Sequence, residues 1–447
     1  MVDRRANRIF AAFGKKENKS MGKYFGTDGI RGKYGEKLDE TLAYKTGLAL
    51  GEIYGGGTFV VGRDTRVSGE ELETALVKGL TDMGGEVMLP GIVPTPAVAM
   101  LAKKHGAACG IMISASHNPP EYNGIKVFDG NGVKYSEEQE GSVEYYIDNP
   151  PAIKGGGKVY SGGNGRAEYI DYVVSAVNAD FRGLKVWLDC GYGAASTVAE
   201  EAFRRLGATV MVDNCKLRGE KINSGCGALH PDYVRNSMKG SDCRLGFAFD
   251  GDADRLSVVM DGEIIDGDTV LYNIAKGMDI KDGVVVGTIL NNLALENKLR
   301  ENGRRLVRTP VGDKYICDLM FRKGYNIGGE QSGHYIVYPA ATTGDGLMSA
   351  MFLAKSLYKA GTLERIERLT LVPQKAIAEY ADPSIMYDKT MRAMTEEAEK
   401  QLADNGRIIV RMSGTEPKVR VMVESTDAAL VDEILGKFKK YINNRVG

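Results

Sequence analysis

Residues 107–120 change abruptly from an apolar run to a small, polar turn that ends in two prolines. The run 111–113 predicts a short buried strand, which ends at about Ser114 because proline lacks an amide hydrogen and restricts the residue before it. A serine hydroxyl is therefore presented at the carboxyl end of a strand. Serine needs a base, a metal or an attached phosphate to act in group transfer, and His117 and Lys126 lie nearby in sequence. An ordinary hydrogen-bonded turn is the alternative.

Length and composition limit the class of protein. At 447 residues the chain is too long for one core, and at roughly 100 to 200 residues per domain we expect three or four domains. A net charge of −1 does not favour nucleic acid or an anionic membrane as a partner. The six cysteines form no Cys-x-x-Cys pair, and no run of 18 apolar residues occurs. We therefore predict a cytoplasmic protein without a transmembrane helix, whose main activity is not the binding of nucleic acid or membrane; whether copies of the chain assemble stays open.

The first part of the chain alternates strands with helices. Three glycines in the segment 25–32 predict a tight loop with Arg31 as its charged tip, and residues 1–20 are expected to be a flexible extension. The pattern predicts strands at 58–62 and 86–89 and helices near 39–54, 70–84 and 95–105. This alternation favours an α/β domain with a largely parallel sheet, whose ligands gather at the carboxyl ends of the strands.

A second α/β unit follows a glycine-rich stretch at 150–167, which we interpret as a connector. We predict strands at 185–189 and 208–212 around a turn at 190–196 and a helix at 197–206. The turn reads Gly191-x-Gly193-x-x-Ser196, and Asp213 follows about 20 residues later. This pattern is similar to the glycine-rich motif of dinucleotide-binding proteins. An NAD-dependent oxidoreductase is therefore the rival class. Against it, the third glycine is a serine, and many α/β turns use glycine only to pack a helix on a strand.

Three carboxylates, Asp250, Asp252 and Asp254, follow a predicted strand at 245–249. In an extended segment the period of two would send all three to one side, where they would repel each other unless a cation holds them. Oxygen ligands in so compact a set suit Mg²⁺. An EF-hand would need glycine and glutamate where Arg255 and Asp261 stand, so that alternative fails; a solvated acidic turn remains.

A third unit has a predicted strand at 284–287, a helix near 292–302 and a short strand at 325–327. Alternation then places Glu330, Ser332 and His334 on one side of the next segment. A carboxylate and a hydroxyl can orient vicinal sugar hydroxyls by hydrogen bonds, although a polar hairpin would show the same pattern.

The last unit is predicted to have a helix near 388–405 and two strands that flank the turn Ser413-Gly414-Thr415. Backbone amides and hydroxyls in such a turn form an anion-binding concavity, and Arg411 and Arg420 add fork-shaped donors for phosphate. The chain contains no Walker A sequence, so a nucleotide P-loop is not expected.

Taken together, these motifs resemble the alpha-D-phosphohexomutase superfamily from Lys23 to the C-terminus. The resemblance implies three consecutive α/β domains with mixed sheets and a smaller C-terminal α+β domain around a central cleft. The implied domain ranges are 21–165 for the serine loop, 166–267 for the metal loop, 268–372 for the sugar loop and 373–447 for the phosphate loop.

The resemblance also implies roles for individual residues. Ser116 would carry a phosphate and share one Mg²⁺ with the three aspartates, while Arg31, His117 and Lys126 would assist catalysis. The implied substrate-binding residues are Arg255, Thr309, Lys314, Glu330, Ser332 and His334. The implied phosphate-binding residues are Arg411, Ser413, Gly414, Thr415 and Arg420.

The reaction implied by the resemblance moves a phosphate between two hydroxyls of one sugar, through a phosphoserine and a sugar 1,6-bisphosphate that serves as intermediate and activator. The segments 309–315, 329–334 and 222–227 resemble the branch that acts on glucosamine phosphate. The segment 118–123 looks more like archaeal members of mixed glucose and mannose specificity. We expect interconversion of glucosamine 6-phosphate and 1-phosphate, with a broad glucose and mannose mutase as the alternative.

Overall fold

A computed structural model describes residues 22–26, 28–413 and 417–446, so the predicted extension at 1–20 lies outside the described residues. Four successive units follow along the chain, each built around its own sheet. Three are α/β domains and the fourth is a smaller α+β domain, which confirms the predicted fold class.

The first domain has a seven-stranded mixed sheet of order β1-β2-β6-β5-β3-β4-β7. Its strands are β1 Phe25–Gly26, β2 Gly29–Lys33, β3 Gly57–Arg63, β4 Gly85–Ile92, β5 Cys109–Ile113, β6 Tyr122–Asp129 and β7 Lys158–Ser161. Its helices are α1 Glu40–Tyr54, α2 Gly69–Asp82, α3 Thr95–Lys104 and α4 Glu137–Asp148. Alternate side chains of the central strands face opposite layers: Val61 packs with α1 and α2, and Val60 packs with α3.

One feature of this domain differs from the sequence prediction. The stretch 150–167 is not only a connector, because β7 within it pairs in parallel with β4 as the last strand of the sheet. All four side chains of β7 are exposed, so the strand shows no apolar alternation from which it could be predicted.

The second and third domains have five-stranded and four-stranded mixed sheets, of order β12-β11-β10-β8-β9 and β14-β13-β15-β16. Their strands are β8 Lys185–Asp189, β9 Thr209–Asp213, β10 Leu245–Phe249, β11 Leu256–Met260, β12 Glu263–Ile265, β13 Val284–Thr288, β14 Arg305–Thr309, β15 Ile327–Gly329 and β16 Tyr335–Val337. Their helices are α5 Gly165–Val177, α6 Ala199–Arg205, α7 Pro231–Ser237, α8 Gly267–Lys276, α9 Leu293–Glu301, α10 Asp313–Lys323 and α11 Gly346–Leu357. The strand predicted at 325–327 begins two residues later, and the helix predicted at 197–206 is divided between a 3-10 turn at Ala194–Thr197 and α6.

A small hairpin, β17 Tyr358–Lys359 and β18 Thr362–Leu363, leads toward the fourth domain. That domain has an antiparallel sheet of order β19-β21-β20. Its elements are β19 Gln374–Tyr380, α12 Lys389–Leu402, β20 Gly406–Met412, β21 Lys418–Ser425 and α13 Ala428–Val446.

The fourth domain has its own core, whereas one continuous apolar cluster runs through the first three domains. Its contact with the third domain is polar. Arg407 donates to the carbonyl of Ile289 at 2.7 Å, and the Glu424 carboxylate accepts from the amide of Leu293 at 2.6 Å. The fourth domain is therefore attached by hydrogen bonds at these positions rather than by a shared core.

The three central functional loops all follow the carboxyl end of a strand: the serine loop after β5, the metal loop after β10 and the sugar loop after β15. Among the described residues, no helix combines the length and the apolar character that crossing a bilayer requires.

Candidate active site

The serine loop presents a buried hydroxyl to the metal loop. Ser114 donates to the Asp64 carboxylate at 2.6 Å and accepts from the amide of Ser116 at 2.8 Å. Ser116 has a φ of 51°, in the left-handed region that few residues other than glycine adopt. Its side chain is fully buried, and its Oγ donates to Oδ2 of Asp250 at 2.6 Å. A strained serine held against an acidic loop is an arrangement typical of functional sites.

The backbone of this loop is held by Arg66, whose side chain is fully buried. Its guanidinium donates to the carbonyls of Ser116 and Asn118 at 2.8 Å each, to that of Tyr122 at 2.9 Å and to the Asp64 carboxylate at 3.0 Å. Arg66 was not among the residues predicted from the sequence. The sequence feature that could have indicated Arg66 is its position in the polar loop that follows β3, because β3 lies next to β5 in the sheet.

The second domain supports the same loop. Asn223 Nδ2 donates to the carbonyls of Ser116 at 2.9 Å and Asn118 at 3.1 Å. A Cβ at Gly251 would lie 2.6 Å from the Ser116 carbonyl oxygen, so the metal loop approaches so closely because this residue is glycine.

The glycine-rich turn at 190–196 serves the same packing. A Cβ at Gly193 would lie 2.4 Å from the carbonyl oxygen of Gly251, and the Ala194 amide donates to that oxygen at 2.8 Å. The space next to this turn that a dinucleotide pyrophosphate would need is therefore occupied by the metal-loop backbone. This contact gives no support to the oxidoreductase alternative.

The metal loop gathers Asp250, Asp252 and Asp254, all fully buried, with one oxygen of each lying within 4.8 Å of the others. Burial, together with the charges of the other two carboxylates, raises the pKa of Asp250 to about 7. Oδ1 of Asp252 is buried and has no hydrogen-bond partner among the described residues. Converging carboxylates with an unsatisfied oxygen fit a divalent cation that prefers oxygen ligands.

Cations surround this loop. Lys126 Nζ donates to Asp252 and Asp254 at 2.8 Å each and lies 3.2 Å from Oδ2 of Asp28. Burial opposes the charge of Lys126, but these carboxylates raise its pKa above the ordinary value, so it is a cation here. Arg31 also pairs with Asp28. Asp28, which was not predicted as a site residue, therefore connects two predicted catalytic residues.

His117 lies beside the serine, with Nδ1 3.3 Å from the Ser116 Oγ. Burial, and then the nearby charges of Arg255 and Arg31, lower the pKa of His117 to about 3. The imidazole is therefore neutral near pH 7 in this arrangement.

The sugar loop is a turn between β15 and β16 that reaches the metal loop through His334. Glu330 accepts from the amide of Gly312 at 3.0 Å, and its other oxygen lies 3.3 Å from Nδ1 of His334. Nε2 of His334 lies 3.1 Å from Asp254. Burial and a neighbouring arginine oppose its charge, but the two carboxylates raise the pKa of His334 to about 10. Ser332 is exposed, with its hydroxyl 3.5 Å from Glu330.

The other predicted substrate-binding residues lie in different surroundings. Arg255 joins the central cluster, with Nε 3.2 Å from Nε2 of His334. The Thr309 hydroxyl lies 2.9 Å from the carbonyl oxygen of Pro310 and 3.2 Å from that of Gly287, so its one hydrogen is donated to the backbone. Lys314 crosses to the first domain, 3.7 Å from Glu137 and 3.8 Å from a second carboxylate on α4. Of these three, Arg255 is thus the residue that contacts the sugar loop directly.

In the fourth domain, Arg411 and Arg420 stand directly opposite each other on β20 and β21. Burial and the charge of Arg420 lower the pKa of Arg411, so the pair is electrostatically unfavourable without an anion. The Ser413 amide donates to the carbonyl of Lys418 at 2.7 Å. Gly414 and Thr415 lie outside the described residues.

Comparison with known proteins identifies the four units. Family models of "Phosphoglucomutase/phosphomannomutase" match as alpha/beta/alpha domain I at residues 22–153, domain II at 167–263, domain III at 266–370 and the C-terminal domain at 366–440. The chain is 42% identical to a phosphoglucosamine mutase of Finegoldia magna, over 95% of this chain and 99% of that protein.

Two solved structures share the fold. A phosphoglucomutase/phosphomannomutase family protein from Burkholderia thailandensis has a TM-score of 0.77 and 25% identity, covering 93% of this chain and 96% of that one. An Aspergillus fumigatus N-acetylphosphoglucosamine mutase, solved with GlcNAc-6P and magnesium, has a TM-score of 0.65 and 16% identity, with 99% of each chain covered.

Proposed function

Because this chain belongs to the phosphoglucomutase/phosphomannomutase family and matches a phosphoglucosamine mutase over nearly its whole length, we propose that it interconverts glucosamine 6-phosphate and glucosamine 1-phosphate. The observation that carries the residue roles is the 2.6 Å contact between the Ser116 hydroxyl and Asp250. It joins a group that can carry a phosphoryl to a loop that can hold a cation.

The reaction proceeds as a relay on phosphorylated Ser116. The P–O bond to Oγ breaks as a bond forms to the free sugar hydroxyl, whose proton is lost while Oγ regains one. The sugar 1,6-bisphosphate then turns round, and its other phosphoryl returns to Oγ with the reverse proton balance. A bisphosphate supplied from solution phosphorylates the serine by the same step, which makes it an activator. The relay keeps the phosphoryl from water, whose attack would waste it.

The protein's residues position and neutralise this group. Arg66 and Asn223 hold the serine backbone, and Lys126 and Arg31 place positive charge beside the acidic loop. The neutral His117 lies within reach of the Ser116 oxygen.

Asp250, Asp252 and Asp254 would hold one Mg²⁺ together with an oxygen of the phosphorylated serine. When bound, this ion supplies positive charge against the phosphoryl oxygens.

The sugar must be accepted in two orientations, because each end in turn faces Ser116. Glu330 and Ser332 can bind ring hydroxyls that exchange places when the sugar turns. Arg411 and Arg420 bind the phosphate that points away from Ser116, because an anion between the two guanidinium groups relieves their mutual repulsion. Neither orientation then requires a separate site.

Intact mass and turnover test the relay. Purified protein should show a fraction about 80 Da heavier, the mass of one phosphate, that maps to Ser116. Ser116→Ala should lose this species and its activity, while Ser161→Ala, at an exposed serine on β7, should retain both. Full activity of Ser116→Ala would refute the relay.

Turnover of glucosamine, glucose and mannose phosphates side by side tests the choice of substrate. A preference for the amino sugar supports the proposal. Equal values of kcat/KM would assign a broad phosphohexomutase instead.

A further inference from the structure

A separate cavity lies where the first three domains meet. Its volume is about 330 Å³, and α3, α5 and the segment 339–345 form its walls. The residues that determine its chemistry are Met100, Lys103, Tyr169, Tyr172, Ala340 and Asp345. None of them belongs to the relay described above.

The volume and the walls of the cavity suit a largely apolar ligand. A cavity of ~150 Å³ accommodates benzene, so 330 Å³ accommodates a ligand of about two rings. Tyr172, Met100 and Ala340 offer ring and aliphatic surface, and Tyr172 is 36% exposed although it lines the cavity. Mostly apolar walls with few polar groups are typical of small-molecule sites at domain interfaces.

The charges fix the polarity of the ligand. Lys103 is exposed and forms no ion pair or hydrogen bond with the described part of the chain, whereas its neighbour Lys104 pairs with Glu168 at 2.7 Å. The buried Asp345 is engaged, because it accepts from the Tyr169 hydroxyl at 2.8 Å and from the Met348 amide at 2.9 Å. The available charge is therefore a single exposed ammonium, which suits one anionic group on the ligand.

We propose that this cavity binds a small aromatic monoanion of about two rings, and that its occupancy is coupled to the metal loop. The anionic group of the ligand is held at Lys103, and the rings of the ligand lie against Met100, Tyr172 and Ala340.

The coupling follows from hydrogen bonds that join two of the cavity's walls to the metal loop, through the first residue of α3 and the first residue after the segment 339–345. Thr95, the first residue of α3, donates from its amide to the Asp252 carbonyl at 2.9 Å and from its hydroxyl to the Asp252 carboxylate. Gly346, the first residue of α11 and the neighbour of Asp345, donates to the Ala253 carbonyl at 2.9 Å. A ligand that shifts either helix start therefore moves backbone that positions the metal ligands. Binding at the two sites must then influence each other reciprocally.

The probe is 8-anilinonaphthalene-1-sulfonate, an aromatic monoanion whose emission rises in apolar surroundings. Titration of the full chain should saturate at one equivalent. Lys103→Glu should weaken binding about tenfold or more, since it replaces attraction of the sulfonate by repulsion. Ala340→Phe should abolish binding by filling the cavity. Lys239→Glu, at an exposed lysine outside the cavity, should leave the affinity unchanged.

Undiminished affinity in Lys103→Glu would overturn the site, and so would binding that survives in folded Ala340→Phe; Lys103→Glu alone decides the matter if the larger side chain prevents folding. The coupling is tested by measuring the probe's Kd with saturating MgCl₂ and with NaCl of equal ionic strength. We expect a change of about fivefold or more, the lower end of typical coupling between sites. Identical Kd values, in protein that calorimetry shows to bind Mg²⁺, would overturn the coupling. Neither measurement requires mutase activity, so a failure here is distinct from a failure of the proposed reaction.

Discussion

Replacing Arg66 by lysine tests whether the serine loop is held in its strained form by one side chain. The guanidinium bonds four backbone carbonyls of the loop, at Ser116, Asn118, Pro119 and Tyr122, besides the Asp64 carboxylate. An ammonium keeps the charge but offers three donors from one point instead of a planar fork. At least two of these five contacts therefore lose their donor.

The expected magnitude follows from that count. A buried acceptor left without a donor costs about 1 to 3 kcal/mol, so two of them weaken the local structure by about 2 to 6 kcal/mol. The Ser116 φ of 51° is unfavourable by itself, so the loop should relax once its carbonyls are released. A shift of about 1 Å in a reacting group lowers turnover by roughly 10²-fold. We expect kcat of Arg66→Lys to fall by about that factor.

Two measurements check this reasoning. Hydrogen exchange followed by mass spectrometry should show faster exchange in peptides covering 114–124, and steady-state kinetics should show the loss in kcat. The control is Arg182→Lys, because Arg182 pairs with Asp180 at the surface, where the same change should have little effect. Normal kcat with unchanged exchange in Arg66→Lys would refute the holding role.

Other perturbations give distinct outcomes. Mg²⁺ at 100 times its Kd should stabilise the wild type by about 2.7 kcal/mol and so raise its thermal midpoint, and Asp252→Asn should abolish this rise. An unchanged rise in calorimetry would show that this carboxylate is not a ligand. Burial raises the pKa of Asp268 from 3.8 to about 6, so between these pH values the folded state keeps a proton that the unfolded state has lost. The free energy of unfolding of the wild type relative to Asp268→Asn should therefore fall by about 2 kcal/mol from pH 4 to 6 in urea titrations, whereas parallel pH profiles would contradict the shift. Arg420→Ala should raise KM for glucosamine and glucose phosphates by the same factor, because the proposed role of Arg420 is to bind the phosphate that both substrates share; a changed ratio would contradict this. Glu330→Gln should lower the preference for the amino sugar if the carboxylate senses the ammonium, and unchanged kcat/KM ratios would exclude that role.

The metal loop shows where pattern reasoning predicted that three side chains converge, but for an incomplete reason. Alternation predicted three acids on one side of an extended segment, and they do converge. However, residues 250–254 form a turn in which Ala253 has a φ of 57°, so the convergence comes from a tight reversal. The same holds for the sugar loop, where Glu330 and His334 come into contact because the chain reverses direction between β15 and β16.

The exposed strand β7 and the residues that hold the site show the limit of such reasoning. Arg66 reaches the Ser116 carbonyl from 50 positions away and Asn223 from 107 positions away. Asp28, directly before β2, pairs with Lys126 of β6. No local period or spacing relates these partners, because their contact depends on strand order and on how two domains pack.

The candidate reactive groups can therefore be recognised in the sequence itself: a serine, three aspartates and a glutamate each stand where an apolar strand gives way to a polar loop, and that boundary is encoded by adjacent residues. Which charges face each group, and hence the lowered pKa of His117 and the raised pKa of His334, depended on packing. Electrostatic interactions act through distance and burial, and both are set only when distant segments are brought together in the folded chain.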